Sequence, residues 1–139
     1  MDAKQFLIQY RLATIEAERL RKEYKKEAEL IDSIRSGLGG DGTPKGNGIN
    51  KRVEAQAIKL ADKAREWERA EIEALRIRQN VFEVVNQVPG EYGNVLFERY
   101  INIKTWDDVA ESVHYSKRQA INIHDKALIK VDRIITREG

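Results

Sequence analysis

Two stretches of the chain, Ala3 to Ile34 and Lys51 to Val88, contain neither glycine nor proline, and that continuity limits the possible folds more than anything else in the sequence. Apolar residues recur in the first at Ile8, Leu12, Ile15, Leu20, Tyr24, Ala28, Ile31 and Ile34. In the second they recur at Val53, Ala57, Leu60, Ala64, Trp67, Ala74, Val81, Val85 and Val88, again at steps that average a helical period. The spacing predicts two long amphipathic helices with mixed charge on their outer faces. Glu18 with Lys22 and Arg19 with Glu23 are i,i+4 pairs that support the first. Glu71 and Arg78 fall on the phase of the second stripe and leave its seam imperfect.

Between these stretches, Ser36 to Asn50 reads SGLGGDGTPKGNGIN, with six glycines and one proline. Such a segment predicts a flexible connection rather than a helix or strand. It lacks Gly-Lys-Ser/Thr and any preceding apolar strand, so it does not read as a phosphate-cradling loop. Two helices of similar length joined in this way should pack as an antiparallel hairpin. A bare hairpin buries only one stripe per helix, so self-association or docking onto the rest of the chain is expected. Charged residues make up 35% of the sequence and aromatics 7%, which suits long solvated helices better than a thick core.

Val88-Pro89-Gly90 is the next strong break and divides a hairpin, 1–88, from a head, 89–139. Tyr92, Val95, Leu96 and Tyr100 predict a short helix ending near Ile101 or Asn102. Thr105 is placed to cap the helix that follows, with Asp107 and Asp108 in its first turn, where the helix dipole favours negative charge. Trp106, Val109, Ala110 and Val113 form the expected buried face. A final helix starts at Ser116, which can form a capping box with Gln119, and runs to about Ile135. The pattern is that of a helix-turn-helix, in which Val109, Val113, Tyr115, Ala120 and Ile123 should pack together. The predicted class is all-α: a long antiparallel helical hairpin followed by a three-helix head.

In that arrangement Lys117, Arg118, Gln119 and Asn122 project from the opening turns of the last helix. Arginine can donate two parallel hydrogen bonds to guanine, and glutamine or asparagine can pair bidentately with adenine, so these four are the candidate base-reading residues. Arg99, Lys104, Ser116 and Lys126 are candidates for phosphate contact. The net charge of the chain is only +2, and from Pro89 onward eight Lys/Arg face eight Asp/Glu. Affinity for nucleic acid must therefore come from the arrangement of charges and not from their sum. His114 and His124 lie ten residues apart on different predicted elements with no third ligand at suitable spacing. His124 falls toward the apolar side of its helix and reads as a packed or hydrogen-bonded side chain. No catalytic grouping, metal site or cofactor is expected. The absence of cysteine excludes a disulfide framework, and no apolar run approaches the ~20 residues of a membrane span.

The segment Leu96 to Val131 resembles region four of bacterial primary sigma factors through Leu96, Arg99-Tyr100, Val109-Ala110, Ser116, Ile123 and Lys126-Ala127-Leu128. With the hairpin in front, and with Trp106 and Tyr115-Ser116, the chain is similar to the small sigma-like regulators of phages and prophages of Gram-positive bacteria, the ArpU and RinA type. Two positions depart from the pattern: Ile103 and His114 stand where such proteins often carry glycine. The resemblance lacks a counterpart of the region that melts the promoter, so it implies a regulator rather than a complete sigma factor. It implies activity on double-stranded DNA in the cytoplasm of a bacterial host, with the hairpin mediating homo-oligomerisation or contact with RNA polymerase, and no role at a membrane. Two other readings fit the same elements: a small terminase subunit that marks phage DNA for packaging, and a coiled-coil adaptor whose head makes only protein contacts.

Overall fold

The structure is a computed structural model that describes residues 1–38 and 47–138. It is all-α, with helices α1 (Ala3–Leu38), α2 (Asn47–Val85), α3 (Gly90–Leu96), α4 (Trp106–Val113) and α5 (Lys117–Glu138). A π-helical turn, Phe97–Ile101, continues α3. The two long helices run further into the glycine-rich segment than its composition predicts, because Ser36–Leu38 is helical and α2 already begins at Asn47. The rest of that segment, 39–46, lies outside the described residues. Among the described residues no helix is long and apolar enough to cross a membrane.

The chain divides into two compact units, Met1–Ala13 with Glu73–Gly139, and Thr14–Ile72. The division does not fall at Pro89, and the reason is the core of the first unit. Ala3 and Leu7 of α1 and Val81, Val84, Val85 and Val88 at the end of α2 are buried in one cluster with Leu96, Tyr100, Ile101, Ala127 and Val131. Each fully buried valine or leucine side chain here contributes roughly 1.5–3 kcal/mol. The ends of the hairpin are thus structural parts of the head. A long-range cap reinforces the joint: the N–H of Ala3, one of the orphan donors of α1, donates to Asp132 Oδ1 on α5 at 2.8 Å.

In the second unit α1 and α2 pack antiparallel. The rings of Tyr24 and Trp67 lie 5.4 Å apart, and Lys63 Nζ sits 3.2 Å from Glu23 Oε2. Ala17, Leu20 and Ile31 are buried. Leu12 in the first unit and Ile15 in the second, expected in the stripe, are each 56% exposed because they lie off the line set by the buried residues. Ala57 is exposed as well. Arg19 pairs with Glu23 at 2.7 Å as its spacing predicts, whereas Glu18 pairs with Arg21, three residues on, at 2.6 Å rather than with Lys22.

α2 ends at Val85, and Gln87 and Val88 donate their N–H groups back to Val84 and Val85, tightening the chain into Pro89. Gly90 adopts φ 63°. Gly93 is required for a different reason: a Cβ there would stand 2.1 Å from the Val88 carbonyl oxygen, so α3 lies directly against the end of α2.

Candidate nucleic-acid interface

The second small core, Val95, Val109, Ala110 and Ala120, fixes α4 against α5, with Trp106, Val113 and Ile123 packed around it. Thr105 caps α4 by accepting the Asp108 N–H at 3.3 Å, and Asp107 and Asp108 occupy the first turn. At the other end His114 takes a left-handed conformation, φ 63° and ψ 39°. The Tyr115 N–H then reaches the Ala110 carbonyl at 3.0 Å and the His114 N–H reaches Glu111 at 3.3 Å, the paired bonds of a Schellman ending. This turn carries Tyr115 outward, contrary to the expectation that it packs with Val113 and Ala120. Tyr115 is 38% exposed, and its hydroxyl donates to Glu91 Oε2 at 2.5 Å, which raises its pKa.

Ser116 and Gln119 form the expected capping box. The Gln119 N–H donates to Ser116 Oγ at 3.1 Å and the Ser116 N–H donates to Gln119 Oε1 at 3.2 Å. These bonds occupy the hydroxyl of Ser116 and the amide oxygen of Gln119, leaving the amide nitrogen of Gln119 for an outside acceptor. From this start α5 buries Ala120, His124, Ala127 and Val131, and exposes Arg118, Asn122, Asp125, Lys126 and Arg133. Among the described residues the side chains of Arg118, Asn122 and Lys126 have no hydrogen bond or ion pair. Lys117 lies 3.7 Å from Asp107 Oδ1, with both side chains well exposed.

The other two basic candidates are held by the protein itself. The Arg99 guanidinium donates to the Lys104 carbonyl at 2.8 Å and lies 4.6 Å from the centre of the Trp106 ring. Lys104 Nζ is 2.5 Å from Glu98 Oε2 and donates to Ser112 Oγ at 2.9 Å. Its hydrogen bond holds the Glu98 carboxyl below the usual carboxylate range. Together they brace the loop 102–105, where Ile103 adopts φ 55°. Arg99 and Lys104 therefore shape the loop ahead of α4, whatever else they touch.

His124 is 5% exposed, as its place on the apolar side of α5 predicts. Tyr100 Oη lies 2.5 Å from its Nε2, and Asp125 Oδ1 lies 3.2 Å from its Nδ1. A neutral ring protonated on Nδ1 satisfies both, donating to the carboxylate and accepting from the phenol. Burial lowers the His124 pKa against the opposing pull of Asp125, and burial pushes Tyr100 up to about 12.

Two basic residues of this region have no signal in the local sequence of the head. Lys4 and Arg11, on α1, line a cleft with Arg99, Lys104, Asp107 and Lys117. Their spacing of seven places them on one helix face, but only the fold brings that face here. No family model, curated protein or solved structure matches the chain.

Proposed function

We propose that this protein is a sequence-specific double-stranded DNA-binding regulator that reads the major groove with the opening turns of α5. One observation carries the reading: Arg118 and Asn122 stand exposed on one edge of α5, their side chains without a partner among the described residues, while its aliphatic flank is buried. Their side chains are of the types that pair bidentately with guanine and adenine. Lys117 and the free amide nitrogen of Gln119 extend the same edge. Lys126, one turn beyond Asn122, is suited to a phosphate. Arg99, Lys104 and Ser116 contribute by holding the loop and the helix start in register.

The resemblance of Leu96 to Val131 to region four of sigma factors supports the same reading and gives it a setting: regulation of phage or prophage genes in a bacterial cytoplasm, with RNA polymerase as a partner. Outside the head, the paired long helices are the part suited to homo-oligomerisation. The test is selection of duplexes from a random pool at two salt concentrations. The expected result is enrichment of one defined motif at both, with lower recovery at the higher salt. Failure to enrich any motif, even at low salt, overturns the reading.

A further inference from the structure

The first compact unit contains a cleft of about 610 Å³ walled by the first turns of α1, the loop before α4 and the start of α5. Lys4 and Arg11 line it from α1, Arg99 and Lys104 from the loop side, and Lys117 from α5, against one carboxylate, Asp107. Most of the charged side chains that line it are basic. Lys104 is matched by Glu98. Asp107 is shared with Lys117 across 3.7 Å between exposed side chains, a separation worth little in water. Arg99 has no carboxylate at ion-pair distance among the described residues, since its guanidinium lies on a carbonyl and on Trp106. Lys4 is exposed and has no ion pair among the described residues.

We propose that this cleft seats a phosphate of the DNA backbone beside the bases read by α5, with Lys4 and Arg11 of the first helix among its ligands. The inference rests on the reading of α5 as the DNA-reading helix and extends the contact surface to the start of α1. Lys117 joins the two parts, being the first residue of α5, next to Arg118, and also part of the cleft wall. The α1 wall keeps a fixed place relative to α5 because Ala3 and Leu7 are buried with Val131 and the Ala3 N–H is bonded to Asp132. The ligand chemistry follows from what the cleft leaves open. Tyr100 and His124 are buried and stacked on each other, and Trp106 carries the Arg99 guanidinium on its ring and His124 against it. The cleft therefore offers charge rather than a stacking face, which suits a phosphate and not a base.

The experiment measures duplex affinity against salt for the full chain, using the motif enriched by the wild type and an unrelated duplex. The variants are Lys4→Gln/Arg11→Gln, Arg118→Ala, and Lys25→Gln/Lys26→Gln as a control that removes the same charge from α1 in the other unit. The cleft variant is expected to weaken both duplexes by the same factor, on the order of tenfold, and to lower the log–log salt slope by about two. The control should change the slope little. A cleft variant with the wild-type slope, or with the slope of the control, overturns the inference. In that case a specific loss in Arg118→Ala leaves the reading of α5 standing. If the wild type discriminates between no duplexes, both fall together. Circular dichroism checks folding, and the single change Lys4→Gln, at an exposed position, should still lower the slope by about one. Inorganic phosphate at constant ionic strength separates the sources of the group. If it raises the melting temperature of the wild type but not of the cleft variant, while the two bind DNA with the same salt slope, the site takes a free anion, and the backbone assignment is wrong.

Discussion

Ile103 and His114 hold φ values of 55° and 63°, and an L-residue in this region costs roughly 1–3 kcal/mol. Each sits where the chain must reverse before a helix of the head, and each stands where the resembled regulators often have glycine. Their surroundings hold them there: Lys104 N–H to Glu98 and Arg99 to the Lys104 carbonyl around Ile103, and the two Schellman bonds around His114. His114 is exposed and gives up little packing. We therefore expect His114→Gly to raise the unfolding free energy by about 0.5 to 1 kcal/mol in urea titrations, net of the extra freedom glycine has when unfolded. A loss of stability in that variant would show that the imidazole itself is needed. His124 makes a second prediction. Its folded pKa is depressed by burial, so below about 6.5 the unfolded chain takes up a proton that the folded chain refuses. Stability is untouched by this group above that pH and falls as the pH drops through it, by up to about 1.4 kcal/mol per unit until the folded pKa is reached. Melting temperatures should decline from pH 7 to pH 5 more steeply in the wild type than in His124→Gln. Parallel curves would contradict the buried neutral imidazole.

At the level of elements, α1 and α2 of the second unit leave Ile15, Leu30, Ile58 and Ile72 exposed by 43 to 60% while burying only a narrow stripe. Helices of this kind gain by pairing again, and light scattering is expected to return a mass at or above twice that of one chain. A monomer at micromolar concentration would remove the hairpin as the oligomerising element. The elements themselves were legible from local chemistry. The glycine-free runs, the Thr105 cap, the Ser116–Gln119 box and the apolar flank of α5 each depend on residues within one or two turns of one another. What was not legible depends on distance along the chain. Leu12 and Ile15 are apolar and near the right period, yet only the packing decides that Leu7 and Ala17 face inward instead. Tyr115 reads as a core residue until the left-handed turn at His114 sends it to Glu91. The cap from Asp132 to Ala3 spans 129 positions, and no local pattern announces it. The same packing brings Lys4 and Arg11 beside Lys117, which is why the cleft had no sequence signal.

For the molecule as a whole, a net charge of +2 gives no broad attraction to a polyanion. On the proposed reading, binding rests on a small surface of the first unit formed by the exposed edge of α5 and the basic cleft, with acids such as Glu98 turned to structural pairs. Such a surface should show a modest salt slope and a large share of its affinity in base contacts. The most direct test is the affinity of Arg118→Ala relative to the wild type on the enriched duplex and on an unrelated one. The Arg118 side chain is exposed and has no hydrogen bond or ion pair among the described residues, so the variant should melt like the wild type, lose about 1 to 3 kcal/mol on the enriched duplex and lose much less on the other. Equal affinity of variant and wild type for the enriched duplex would contradict the account.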